Sequence, residues 1–183
     1  QTNYHPSYNK NILVNALALG YFSSQDKVAS SQAKGVGNWV VYIGAKTGKD
    51  GVHGAAMASE SFSADSDSKK PNVQIGDPYY EKLLIEATLE VIQKDLVVAI
   101  QDMGAAGLIS SSFGMAAKGG VGMEMDLSAV PLRDSTMLAE EILLSESQER
   151  MLLVCQPSQY SEIAAIMHRW GLEVAKVGVI TDS

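Results

Sequence analysis

The residues best suited to chemistry lie in the stretch LLSESQERMLL, residues 143–153. Two apolar runs flank a polar centre of two serines, two glutamates, a glutamine and an arginine. Apolar flanks of this kind usually become buried strand or helix, which fixes the polar centre at the edge of a core. A dense set of hydrogen-bonding side chains on a rigid mount suits a polar small molecule. The alternative is a solvated turn with a helix cap, because Ser145 and Gln148 have the spacing of a capping box.

Asp102 and Gln74 are two further polar side chains at predicted strand ends. Asp102 follows the apolar run at 96–100 and precedes Gly104 and a run of small residues that should open a helix. Folds of alternating strands and helices place ligand groups there, and a carboxylate can bind Mg²⁺. The alternative for Asp102 is an ordinary helix N-cap. Gln74 stands between two aliphatic residues, and its amide needs partners if it is buried.

A glycine-rich segment, GAKTGKDGVHG, follows the β-branched and aromatic run WVVYIG. We call residues 44–54 the glycine loop. Glycines permit close backbone approach, and Lys46, Thr47 and Lys49 could meet a phosphate or a carboxylate. The spacing is not that of a P-loop, and glycine-rich turns are often purely structural. Both interpretations of the glycine loop stay open at this stage, and the lone His53 is not expected to be catalytic.

Composition and charge narrow the class of protein. The formal net charge of −7 argues against binding to nucleic acid, whose phosphates would repel the chain. No apolar run reaches the roughly 20 residues of a membrane helix, and the polar first residues do not form a signal peptide. The single cysteine, Cys155, lies in an apolar run and is expected to fill the core in a reducing compartment. These features predict a cytoplasmic protein without nucleic-acid or membrane partners.

The order of apolar patterns predicts the architecture that must position these side chains. From Trp39 onward the sequence indicates a strand, a helix, a strand, a helix, two strands, a helix and a last strand. Asp77 and Pro78 are typical of a helix N-cap and first helical residue, and Gly119–Gly120 of a helix end. Residues 61–72 are the most disorder-like segment. The whole predicts an α+β domain with one mixed sheet and packed helices.

Four sequence phrases, in the order given, resemble those of a known family: VQIGDPYYEKLLIEA, IQDMGAAGLISSS, VPLRDSTM and ILLSESQERMLLV. Together with the glycine loop they resemble the synthetase subunit of phosphoribosylformylglycinamidine synthase (formylglycinamide ribonucleotide amidotransferase), a family of purine biosynthesis. The resemblance runs from about residue 8 to the C-terminus and indicates the C-terminal domain of the subunit's first half. It implies a sheet domain at 35–183, similar to the C-terminal domain of aminoimidazole ribonucleotide synthetase. Residues 1–34 would then be a remnant of the preceding N-terminal domain and a linker.

The resemblance also implies an activity. The family is an ATP-dependent ligase that converts formylglycinamide ribonucleotide and glutamine-derived ammonia to formylglycinamidine ribonucleotide. Its cofactors would be Mg²⁺ and ATP, with ATP held mainly by domains outside this chain, so the fragment is not expected to turn over alone. Its partners would be a glutaminase subunit and a small accessory subunit. The alternatives are another ATP-dependent enzyme of the aminoimidazole ribonucleotide synthetase superfamily, or a non-catalytic binding domain.

Family roles transfer to few residues of this chain. The resemblance assigns substrate binding to four residues, which are Gln74, Glu146, Ser147 and Gln148. It assigns Mg²⁺ to Asp102, so for both Asp102 and the polar stretch it favours a ligand role over a helix cap. It implies no catalytic residue within this chain and identifies no residue for ATP.

Some residues depart from the family pattern or receive no role from it. Arg150 is assigned no contact and is interpreted as structural. Phe113 and Gly114 stand where the family usually has a glutamate, and Asp134 replaces the usual glutamate after Arg133. The apolar segment 12–22 is a candidate for self-association or disorder.

Overall fold

The computed structural model describes residues 5–8, 17, 19–24, 26–52 and 76–182. Within these residues, strands and helices follow one another in the predicted order, with one further short helix between the third and fourth strands. The strands are β1 (Trp39–Gly44), β2 (Ala99–Asp102), β3 (Gly122–Met125), β4 (Arg150–Cys155) and β5 (Glu173–Thr181). The α-helices are α1 (Pro78–Gln93), α2 (Gly107–Gly119), α3 (Ala139–Leu144) and α4 (Tyr160–Arg169). Short 3₁₀ turns lie at Pro6–Tyr8, Leu127–Ala129 and Pro157–Gln159.

The five strands form one curled sheet in the order β2-β4-β1-β5-β3. All four strand pairings are antiparallel, so the α+β class is confirmed while the sheet is antiparallel and not mixed. The reason lies in β1. Helix α4 connects β4 to β5, and these two strands run in the same direction. They do not pair with each other, because β1 lies between them and runs the opposite way. Among the described residues, the parallel bridge Thr47–Leu132 lies outside the strands.

Both faces of the sheet are covered. Side chains alternate along a strand, so Val40 and Tyr42 of β1 face one core while Val41 and Ile43 face the other. Helices α2 and α3 close the first core, and α1 and α4 close the second. A strand buried on both faces needs an unbroken apolar run, which explains the sequence WVVYIG.

The helix ends decide between two sequence interpretations. The Asp77 carboxylate accepts hydrogen bonds from the backbone N–H groups of Tyr79 and Tyr80 at 3.0 and 3.1 Å, which confirms the predicted cap of α1. Helix α2 begins at Gly107 with Ala106 as its N-cap, so the N-cap alternative for Asp102 is wrong. Helix α3 ends at Leu144, immediately before the polar stretch. The capping-box alternative for Ser145 is therefore also wrong, since no helix begins there.

The segment before β1 packs on the sheet domain. The Ala33 N–H donates to the Met115 carbonyl at 3.1 Å, and the Ile100 N–H donates to the Ser30 carbonyl at 2.9 Å. Ala33 is fully buried. Farther toward the N-terminus, the described large apolar residues of the predicted self-association segment, Leu17, Leu19, Tyr21 and Phe22, are exposed. Among the helices in the described residues, none is both long and apolar enough to cross a membrane.

Candidate functional site

A buried arginine shapes the polar loop, the name used here for residues 145–149 between α3 and β4. Arg150 is 3% exposed, and its guanidinium donates to the carbonyl oxygens of Ser145 and Ser147, both at 2.6 Å. It also donates to the Thr47 hydroxyl at 3.0 Å. Burial lowers the pKa of the Arg150 guanidinium, and these oxygens replace the water it has lost. The structural role predicted for Arg150 is therefore to hold the backbone of the polar loop in its bent conformation.

The glycine loop, which the structure describes up to residue 52, is hydrogen-bonded to the polar loop. The Ser145 hydroxyl donates to the Gly48 carbonyl at 2.6 Å, and the Gly48 N–H donates to the Ser147 hydroxyl at 2.9 Å. The Glu146 N–H donates to the Asp50 carbonyl at 2.8 Å. These bonds support the structural interpretation of the glycine loop. His53 and Gly54 lie outside the described residues.

Two residues of the predicted substrate triplet turn inward. Glu146 is 4% exposed, and its carboxylate accepts from the Ala106 N–H at 3.0 Å. Ala106 has a left-handed backbone with φ 57, and this bond ties the start of α2 to the polar loop. Ser147 is 2% exposed and donates its hydroxyl hydrogen to the Asp50 carboxylate. The side chains of Glu146 and Ser147 therefore brace the loop.

The close approach of α2 to the polar loop requires a glycine. Gly107 has φ +49, and a Cβ at that position would collide with the Ser145 carbonyl. A larger residue would therefore push α2 away from the loop that Glu146 ties to it.

Gln148 lies at a cavity of about 440 Å³, called the first cavity here. Its amide N–H donates to the Glu146 carbonyl at 2.8 Å. The cavity is lined by Ala45, Lys46, Asp77, Tyr80, Arg133, Ser147, Gln148, Glu149 and Glu173. Two cationic and three anionic side chains therefore share this lining with Gln148.

Asp102 opens to a different space from Gln148. It is exposed at the carboxyl end of β2, where it pairs with Met151 of β4. It lines a second cavity of about 310 Å³, together with residues that include Gln101, Ser110 and Lys118. The linings of the first and second cavities share no residue. The part of the chain that the structure describes contains no group of three or more His, Cys, Asp or Glu side chains able to hold a metal.

Gln74, the fourth predicted substrate residue, lies outside the described residues. Asp77, three positions later in the sequence, lines the first cavity. Sequence reasoning missed Asp50 and Arg133, which form an ion pair beside Ser147. They stand 83 residues apart, and neither segment carries a signal that points to the other.

Comparison with known proteins gives one consistent family. The family model described as AIR synthase related protein, C-terminal domain, matches residues 35–183. The phosphoribosylformylglycinamidine synthase subunit PurL of Acidiphilium cryptum is 58% identical over 183 residues, which cover 100% of this chain and 25% of that protein. The PurL of Rhodospirillum rubrum is 53% identical over the same share of each. The chain spans about a quarter of the length of these relatives.

Solved structures agree with the sequence comparison. Thermotoga maritima PurL complexed with FGAR has a TM-score of 0.81 and 41% identity, covering 86% of this chain and 26% of that chain. A thiamine-monophosphate kinase from Stenotrophomonas maltophilia has a TM-score of 0.58 at 14% identity, over 86% of this chain and 51% of its own. The kinase shares the fold alone. The resemblance drawn from the four phrases is thus confirmed.

Proposed function

Because the chain belongs to the family of AIR synthase related proteins, as a C-terminal domain of that type, we propose that it forms one wall of a phosphoribosylformylglycinamidine synthase substrate site. In the reaction, ATP phosphorylates the formylglycinamide oxygen, and ammonia then displaces phosphate to give the amidine. The ammonia comes from glutamine in a glutaminase subunit, which, with a small accessory subunit, is the proposed partner. The cytoplasm is the corresponding location.

The observation that carries this proposal is the position of Gln148 at the first cavity. An amide offers donors and an acceptor at once, which suits the polar formylglycinamide ribonucleotide. The relative solved with FGAR supports this substrate class. Gln74 is proposed as a second contact, since Asp77 follows it by three positions and lines the same cavity. Glu146 and Ser147 contribute through the shape of the polar loop, because their side chains are engaged inside the protein.

Asp102 is the proposed ligand for Mg²⁺. Mg²⁺ is usually held by one or two carboxylates, with water and phosphate oxygens completing its six ligands. One exposed carboxylate beside the Ser110 hydroxyl in an open cavity fits that requirement. Bound there, the ion would neutralise charge on phosphate groups. Asp102 is the last residue of β2, which pairs with β4. Strand β4 directly follows the polar loop.

Calorimetric titration of the 183-residue chain with formylglycinamide ribonucleotide tests the substrate assignment. We expect Gln148→Ala to weaken binding about tenfold, the effect of losing a hydrogen bond to a charged or strongly polar partner. The control is Gln93→Ala at the exposed end of α1, which should bind as the wild type does. Equal affinity of Gln148→Ala and wild type, or no binding by the wild type, would contradict the proposal.

A second titration, with and without Mg²⁺, tests Asp102. The Asp102→Asn variant should lose the dependence of affinity on Mg²⁺ and keep the Mg²⁺-free affinity. A Mg²⁺ response identical to that of the wild type would remove Asp102 from the metal site.

Phosphate release separates binding from catalysis. The chain alone, given substrate, ATP and ammonia, is expected to bind without turnover, because ATP is held mainly by other domains in the proposed enzyme. Steady phosphate release by the chain alone would show a complete active site instead of one wall.

A further inference from the structure

Asp50 of the glycine loop and Arg133, which follows the 3₁₀ turn Leu127–Ala129, form an ion pair. Arg133 lines the first cavity. The Asp50 side chain is 11% exposed and that of Arg133 is 45% exposed. The same guanidinium nitrogen, Nη2, donates to the Ser147 hydroxyl at 3.2 Å. The pair therefore joins three separate segments of the chain at one point, next to Gln148.

The Ser147 hydroxyl is fully engaged at that point. A hydroxyl has one hydrogen to donate and two lone pairs that accept. Ser147 donates to the Asp50 carboxylate and accepts from the Gly48 N–H at 2.9 Å and from Arg133. Ser147 thus has no hydrogen-bonding capacity left for a ligand, and its position sets that of its neighbour Gln148.

Arg133 reaches Asp50 by crossing the backbone at Gly48. A Cβ on residue 48 would collide with the Arg133 guanidinium, so an alanine there would force the guanidinium to shift. The crossing lies on the cavity side, where Arg133, Ser147 and Gln148 share the lining.

We infer that Asp50 and Arg133 are positioning residues of the substrate site: their ion pair clamps Ser147 and thereby directs Gln148 into the first cavity. This rests on the proposed function. The competing interpretation is a pair that only stabilises the fold, as partly exposed ion pairs commonly do to a small extent.

A double-mutant cycle in substrate affinity separates these interpretations. Dissociation constants for formylglycinamide ribonucleotide are measured for wild type, Asp50→Asn, Gln148→Ala and the double variant, at a temperature where circular dichroism shows all four folded. We expect Asp50→Asn to weaken binding about tenfold, and to have no further effect once Gln148 is alanine. Effects that multiply independently would overturn the inference. The control is Asp182→Asn, with the same charge change at an exposed residue after β5, and it should match the wild type.

Gly48→Ala provides a variant that removes no charged group. Its methyl group displaces the guanidinium, so affinity should fall as in Asp50→Asn. Wild-type affinity in both Gly48→Ala and Asp50→Asn would refute the clamp.

Amide hydrogen exchange without ligand distinguishes failure of the clamp from failure of the proposed function. In Asp50→Asn, the backbone N–H groups of Ser147 and Gln148 should exchange faster, while those of β1 keep their wild-type rates. Unchanged exchange at the polar loop overturns the clamp, whatever the affinity. No binding by the wild type overturns the proposed function and the assignment of the clamp to a substrate site with it.

Discussion

Arg150 places a buried positive charge between two loops, with three protein oxygen atoms as its partners. Replacement by methionine keeps most of the volume but leaves the Ser145 and Ser147 carbonyls and the Thr47 hydroxyl without a donor. We expect Arg150→Met to lower the free energy of unfolding by about 3 kcal/mol, the usual cost of removing one partner from a buried charged network. Urea unfolding measures it. Arg169→Met, at an exposed arginine on α4, is the control and should change little; an equally small effect at Arg150 would contradict its bracing role.

At the scale of single residues, the sequence indicated candidate side chains for a ligand site but not the direction in which each one points. The SESQER phrase drew attention to Glu146, Ser147 and Gln148 together, yet Ser147 and Gln148 line the first cavity while the Glu146 carboxylate is bonded to the start of α2. The directions of the Glu146 and Ser147 side chains depend on the Ala106 N–H and on Asp50, which come from distant parts of the chain. Hydrogen-bond partners at such separations leave no local pattern.

Strand β4 carries the thiol of Cys155 inside the second core, as predicted. Burial raises the pKa of this thiol to about 11 from its ordinary value of 9.0. The folded protein therefore keeps the proton to higher pH than the unfolded chain does. Its contribution to stability is present below pH 9 and is lost as pH rises toward 11, at a slope of at most about 1.4 kcal/mol per pH unit.

Chemical unfolding of wild type and Cys155→Ala at a series of alkaline pH values checks this slope. Other groups also titrate there, including Tyr42, whose pKa burial raises. The difference between the two pH profiles isolates the thiol. Parallel profiles above pH 9 would show that Cys155 titrates alike in both states.

Helices and strands were predictable because their signals are local. The Asp77–Pro78 start of α1 and the left-handed Gly120 after α2 are read from adjacent residues. Neighbours in the sheet were not predictable, because apolar runs reveal that a strand is buried but not beside which strand. The antiparallel sheet follows from β1 lying between β4 and β5, which is a property of the whole chain.

For the molecule as a whole, the boundary predicted at residue 35 can be tested by truncation. Residues 26–34 contribute the buried Ala33 and two backbone hydrogen bonds to the sheet domain, and Lys27 pairs with Asp95. We expect a chain beginning at residue 35 to be less stable than one beginning at residue 26 by about 2 kcal/mol, for two lost hydrogen bonds and the newly exposed apolar surface. Thermal unfolding compares the two. Equal stability would make 35 the true start of the cooperative unit.

The position of β1 in the sheet also has a consequence for how the protein is made. Its two partners, β4 and β5, follow it by more than 100 residues. On the ribosome, β1 emerges before these partners and waits with both edges unpaired until β4 and β5 have been synthesised. Such long-range pairing folds slowly, and an apolar strand with open edges is prone to associate with other chains. The strand at the centre of the finished sheet is therefore exposed to other chains during the synthesis of more than 100 residues.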